Sequence, residues 1–303
     1  MHGLHRIEEF FMKRLLLFVA CGVVIATSGS RGLVTPYGWV EYDIPYSTAH
    51  FSKTSLDLYI PKGNHFPVVV FVHGGSFVQG DRKHSPYAQI GESFQRRGFG
   101  CAVLSYRLLA DSVWPAQPRD IASAIRWVTE NIEYFGGEPS RVFVVGHSAG
   151  GHLAALVCTD STYLAVESVS LRAIAGCVVI GAMMDDDGTL EKVPDAEQRL
   201  LFQRDWFFKI FGSKENFIES FPLRHIRAGM PPFLMLLADK EDLPKQDSDR
   251  RFADEAIKVG VSASVEIIQN RTHMGVVEAM VDPNDPTVER IIQFARESTS
   301  RNR

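Results

Sequence analysis

A serine framed by glycines, Gly146-His147-Ser148-Ala149-Gly150, is the first feature of this chain that could do chemistry. The G-x-S-x-G spacing suits a tight strand-to-helix turn that lifts the serine Oγ clear of a sheet. The context agrees, because Val142–Val145 reads as a strand and Leu153–Val157 as helix. Upstream, His73-Gly74-Gly75 ends the run Val68–Val72. A glycine pair lets backbone approach a substrate and aim N–H groups at a developing oxyanion. The expected hole combines an N–H of Gly74 or Gly75 with that of Ala149, while the His73 side chain holds the loop.

A hydroxyl is a poor nucleophile at neutral pH and needs an adjacent base, and histidine titrates in the useful range. The chain holds ten histidines. The order serine, acid, histidine leaves His152, His225 and His273. His152 lies one helical turn past the serine and faces helix packing; His225 sits in an insertion. His273 follows the last strand, in the loop Asn270-Arg271-Thr272-His273-Met274-Gly275, where a base belongs. The acid should follow the strand Phe233–Leu237. Asp239, Glu241 and Asp242 all qualify; Asp242, just before Leu243-Pro244, is the choice, with Asp239 its main rival.

Strand and helix patterns alternate around these residues. Trp39–Tyr46 and Ser55–Ile60 read as a strand pair, and Val68–Val72 as a run buried on both faces. Gly100–Tyr106, Ala173–Ile180 and Ser264–Ile268 are further strands. Helical spacing appears from Tyr87 to Phe94, along Ile121, Ile125, Val128 and Ile132, and over Phe252–Val259 and Val288–Ala295. The pattern predicts an α/β class: a mostly parallel central sheet flanked by helices, in one catalytic domain over 31–303. The stretch 184–230 interrupts it with Trp206-Phe207-Phe208 and Ile210-Phe211, as a cap insertion or as helices packed on the sheet. Asp185-Asp186-Asp187 reads as a solvated loop, and no metal site is expected.

With 45% hydrophobic and 22% charged residues, the composition is that of a globular protein. A net charge of −4 without a basic block argues against nucleic acid or an anionic membrane as partner. Residues 1–30 read as a signal peptide, with Met12 an alternative start: Lys13-Arg14, an apolar run from Leu15 to Ala26, then small residues. The run is too short to span a bilayer, so the expected location is secreted or periplasmic, with no stable membrane anchor. Cys101, Cys158 and Cys177 read as buried thiols, with one disulfide open among them.

These motifs resemble the carboxylesterase and lipase-like branch of the α/β-hydrolase superfamily, notably its feruloyl-esterase-like, arylformamidase-like and prenylcysteine-methylesterase-like members. The likeness runs from Ser55 to Ala295. It rests on Val72-His73-Gly74-Gly75-Ser76-Phe77, Trp114-Pro115-Ala116-Gln117, Ile132–Gly137, Gly146–Gly151, Pro231-Pro232-Phe233 and Thr272-His273-Met274. It implies the α/β-hydrolase fold, no cofactor, and hydrolysis of a small-molecule ester through an acyl-enzyme. It also favours Asp242, since related sequences place the acid in an Asp-Leu-Pro or Asp-x-x-Val-Pro setting. An amidase or formamidase on the same triad is the nearest alternative, and an inactive secreted binding protein a more distant one.

Overall fold

The computed structural model describes residues 32–48, 50–185, 209–241 and 243–301. The leader at 1–30, the Trp206-Phe207-Phe208 cluster, Asp186, Asp187 and Asp242 lie outside the described residues.

Nine strands form one sheet: β1 Gly32–Thr35, β2 Gly38–Pro45, β3 Ser55–Pro61, β4 Phe66–Val72, β5 Gly100–Leu104, β6 Gly137–His147, β7 Ile174–Ile180, β8 Phe233–Ala238 and β9 Ala263–Ile268. Their order is β1-β2-β3-β5-β4-β6-β7-β8-β9. The first three strands join antiparallel up to β3–β5; from β5 to β9 every pairing is parallel. Parallel strands need crossover helices, which cover both faces. Accordingly β4, β5 and β7 are buried along their whole length. Side chains alternate between faces: Val68, Val70 and Val72 enter one core layer, Val69 and Phe71 the other. At the far edge β9 is only half-buried.

Eight helices are described: α1 Tyr87–Gln95, α2 Ala116–Asn131, α3 Ala149–Thr159, α4 Ser161–Val166, α5 Lys214–Glu219, α6 Leu243–Lys258, α7 His273–Ala279 and α8 Pro286–Arg301. The apolar stripes of α1, α7 and α8 fill one layer, while α2, α3 and α6 fill the other. All eleven residues of α3 are buried; a helix apolar all round belongs inside a core. From the insertion, Ile210, Phe211, Phe217 and Phe221 are buried in the α3 layer.

Three local differences from the sequence reading have physical causes. β1 pairs with the edge of β2, although its four residues carry no alternating pattern. Helix α6 starts at Leu243 instead of Phe252, because its polar first turns still bury Ser248 and Asp249. His273 opens a helix, with Thr272 Oγ1 accepting the Gly275 N–H at 3.1 Å as its cap.

Strand β4 lies between β5 and β6, so the chain leaves neighbouring strand ends in different directions. Such a switch point opens a crevice at the carboxyl ends of the strands. His73-Gly74-Gly75 and Ser148 stand at the ends of β4 and β6 respectively.

Candidate active site

Ser148 sits between β6 and α3 with φ 54° and ψ −124°, a backbone state that side chains rarely adopt. The turn is tight enough to exclude any side chain at its glycines. A Cβ on Gly146 would lie 2.2 Å from Gly150 O, and one on Gly150 would lie 2.3 Å from both Val72 O and His73 O. The turn is fastened to β7 through the Ser148 N–H, which donates to Ile180 O at 2.8 Å. Ser148 itself is half-buried, and its N-terminal place on α3 sets unbonded N–H groups around it.

The structure puts Glu241 against His273. His273 Nδ1 lies 3.0 Å from Glu241 Oε2, and Lys245 Nζ lies 2.6 Å from the other carboxylate oxygen. Asp239 points elsewhere, accepting the Arg271 N–H at 2.8 Å, and Asp242 lies outside the described residues. Burial pushes the Glu241 carboxyl up, but hydrogen bonds from His273 and Lys245 outweigh it and hold the group below its ordinary range. An ionised Glu241 accepts a hydrogen bond from the Nδ1–H of His273, whose proton stays on the ring and leaves the Nε2 lone pair free. Gly181, just after β7 and next to the Ser148 anchor, has φ 59°. A Cβ there would fall 3.0 Å from His273 Nδ1 and 3.1 Å from Glu241 Oε2. Ser148, Glu241 and His273 therefore gather at the ends of β6, β8 and β9, around the end of β7. The Ser148 hydroxyl makes no hydrogen bond to His273 among the described residues; bonds of this kind commonly tighten only with substrate in place.

The His73-Gly74-Gly75 loop departs from expectation at one residue. The Gly74 N–H donates to Tyr87 Oη at 3.1 Å, which removes it from the donors available to a ligand. The Gly75 N–H meets no acceptor among the described residues, and Gly75 is half-buried where Gly74 is fully buried. His73 is buried, donates from Nδ1 to Gly74 O at 2.7 Å and stacks on Tyr106 at 4.4 Å. Farther along, Arg82 clamps the loop to β3 and to the residue after β5: its Nε donates to Asp57 at 3.0 Å and its Nη1 to Ser105 Oγ at 3.0 Å. Phe77 of the same loop packs edge-on against Trp114, His152 and Phe211, so the insertion meets the loop through aromatic rings. His152 Nδ1 donates to Met183 O at 3.0 Å, and His225 Nε2 to Glu219 O at 2.7 Å.

Three buried histidines stay neutral. Burial draws His73 and His152 down to about 4, and burial with the neighbouring charge of His273 draws His147 to about 3. Unfolding releases them to an ordinary value near 6.5, so below that pH the unfolded chain binds more protons and stability falls with pH. Each histidine is expected to cost about 2 kcal/mol at pH 5. The buried Asp249 carboxyl, raised well above its usual range by burial and by Glu241, has no hydrogen-bond partner among the described residues and works in the opposite sense. The three histidines outnumber it. Urea midpoints should drop steadily from pH 7 to pH 5, and more steeply in Asp249→Asn; a flat profile in both would refute this account.

Comparison with known proteins gives a consistent picture. The chain is 28% identical to a probable isoprenylcysteine alpha-carbonyl methylesterase (ICMEL1) of Arabidopsis thaliana, over 73% of this chain and 48% of that protein. It is 30% identical to Esterase LipC of Mycobacterium tuberculosis, over 62% of this chain and 47% of that one. It thus spans about half the length of these curated relatives. Among solved structures, a truncated carbohydrate esterase from gut microbiota superposes with a TM-score of 0.70 at 18% identity, covering 87% of this chain and 97% of that one. Esterase B of Lactobacillus rhamnosis gives 0.69 at 16%, covering 100% and 98%. These likenesses establish the α/β-hydrolase fold. A family model matches residues 56–253, from β3 into α6, a span that holds His73-Gly74-Gly75, Ser148 and Glu241, and the chain belongs to the BD-FAE family.

Proposed function

We propose that this protein is a serine hydrolase that cleaves carboxylic esters through an acyl-enzyme, with Ser148 as nucleophile, His273 as general base and Glu241 as the acid. The reading is carried by the strained Ser148 turn sharing a crevice with a His273–Glu241 pair whose free nitrogen is Nε2. The esterase names of the relatives support it.

His273 Nε2 takes the Ser148 proton as Oγ attacks the ester carbonyl. The Gly75 and Ala149 N–H groups receive the oxyanion, each contributing on the order of 3 kcal/mol. Glu241 stabilises the imidazolium and keeps Nδ1 protonated throughout. His273 then hands its proton to the departing alcohol, and water repeats the sequence in reverse to free Ser148. The leader read at residues 1–30 supports export of the enzyme.

The test is turnover of p-nitrophenyl acetate, butyrate and a long-chain ester beside anilides of the same acids, together with labelling by a fluorophosphonate. Ester turnover exceeding amide turnover, with a single phosphonyl adduct mapped to Ser148, is the expected result. Faster anilide cleavage would move the chain to the amidases. A folded protein that cleaves nothing and takes no label would sink the hydrolase reading.

A further inference from the structure

Tyr87 and His147 are both buried and have no part in the chemistry above. The Tyr87 hydroxyl accepts the Gly74 N–H at 3.1 Å and lies 3.0 Å from His147 Nδ1. The other ring nitrogen, His147 Nε2, lies 3.2 Å from the carbonyl oxygen of His273. Proton counting orients every link. The His273 carbonyl can only accept, so a neutral His147 carries its proton on Nε2 and its Nδ1 is bare. The Tyr87 hydroxyl therefore donates its single proton to Nδ1 while its oxygen accepts from the Gly74 N–H, which can only donate. Burial agrees, since it keeps His147 neutral with a pKa of about 3.

We infer that Tyr87 and His147 are positioning residues that tie the oxyanion loop to the base loop through this directed chain of three hydrogen bonds. One end sets the peptide next to Gly75, and the other sets the backbone of the base. The inference rests on the hydrolase reading for its consequence, not for its geometry. Gly74 is part of the device, because a Cβ there would fall 2.8 Å from His147 Nδ1 and 3.0 Å from the Tyr87 hydroxyl. His147 also packs against the His273 ring, with centroids 4.8 Å apart. The residue between the first glycine and the nucleophile is thus turned inward as a spacer between two loops that the sequence holds far apart.

Tyr87→Phe keeps the ring and removes the hydroxyl; His147→Gln keeps a donor at the Nε2 position and loses the Nδ1 acceptor. Each variant should lower kcat on p-nitrophenyl butyrate by about 10- to 100-fold with little change in KM, the scale of an ångström-level misplacement of reacting groups. The double variant should be no slower than the worse single, because one broken link already uncouples the loops. Wild-type kcat in both singles, or losses that multiply in the double, would overturn the inference. Nitrogen-15 NMR supplies a readout independent of turnover. His147 should show a bare, hydrogen-bonded Nδ1 and a protonated Nε2 from pH 5 to 8, with the Nδ1 resonance moving in Tyr87→Phe. The opposite tautomer in the wild type would overturn the chain even if no variant folded. A wild type that shows the expected tautomer but cleaves no ester would count against the hydrolase reading alone.

Discussion

Ser148→Ala is expected to lower kcat/KM on a p-nitrophenyl ester by about 10⁵- to 10⁶-fold, and His273→Ala by a similar factor. The loss is large because the two groups act as one unit: without the base the hydroxyl stays protonated, and without the hydroxyl the base has nothing to activate. For the same reason Ser148→Ala/His273→Ala should be no slower than either single variant. Residual turnover would come from the Gly75 and Ala149 N–H groups and from substrate binding. Steady-state assays referred to phosphonate-titrated wild type give the comparison. A Ser148→Ala protein within tenfold of wild type would place the nucleophile elsewhere.

Glu241→Gln is the second large effect, an expected fall in kcat of about 10³- to 10⁴-fold. The amide removes the charge that stabilises the imidazolium. It also presents N–H donors to His273 Nδ1, which pulls the imidazole towards the tautomer with its proton on Nε2, where no base remains. Glu241 is nearly buried and its other oxygen holds Lys245, so neither water nor a rotated side chain restores the charge. Asp239→Asn and Asp242→Asn should stay within about threefold, as expected of residues outside a unit that acts together. The four proteins assayed side by side decide the acid. A collapse in Asp242→Asn with Glu241→Gln unharmed would return the role to the residue the sequence motif favours.

The choice of carboxylate is where the sequence leaves the site open, and the structure puts Glu241 beside His273. Three carboxylates occupy residues 239 to 242, and only the path of the backbone decides which of them turns inward. The polar run Leu243–Arg251 carries no apolar stripe, so the sequence pattern shows α6 only from Phe252. One signal was available: Lys245 stands four residues after Glu241, a spacing that pairs charges at a helix start. The elbow and the β4 strand were legible for the opposite reason. Val68–Val72 can only be buried on both faces, and Gly146 and Gly150 admit no side chain. Tyr87 reads as one more apolar position of a helix, and His147 only as a variable position of the G-x-S-x-G spacing. No periodicity links residues sixty positions apart that meet through a single hydroxyl.

Burial is divided unequally across the crevice. Ser148 stands at the start of α3, which has no exposed residue, between β4 and β7, which have none either. His273 hangs from β9, half-buried at the sheet's edge, and starts a helix of seven residues. Regions with fewer buried apolar contacts open at lower free energy than the core, so the two halves of the site belong to cooperative units of different stability. Amides of β9 and α7 would then exchange with solvent through local opening, while those of α3 wait for global unfolding. Mild heat or denaturant would detach the base from an intact serine before the fold is lost, and the recovery of activity would be as fast as one edge strand can re-pair.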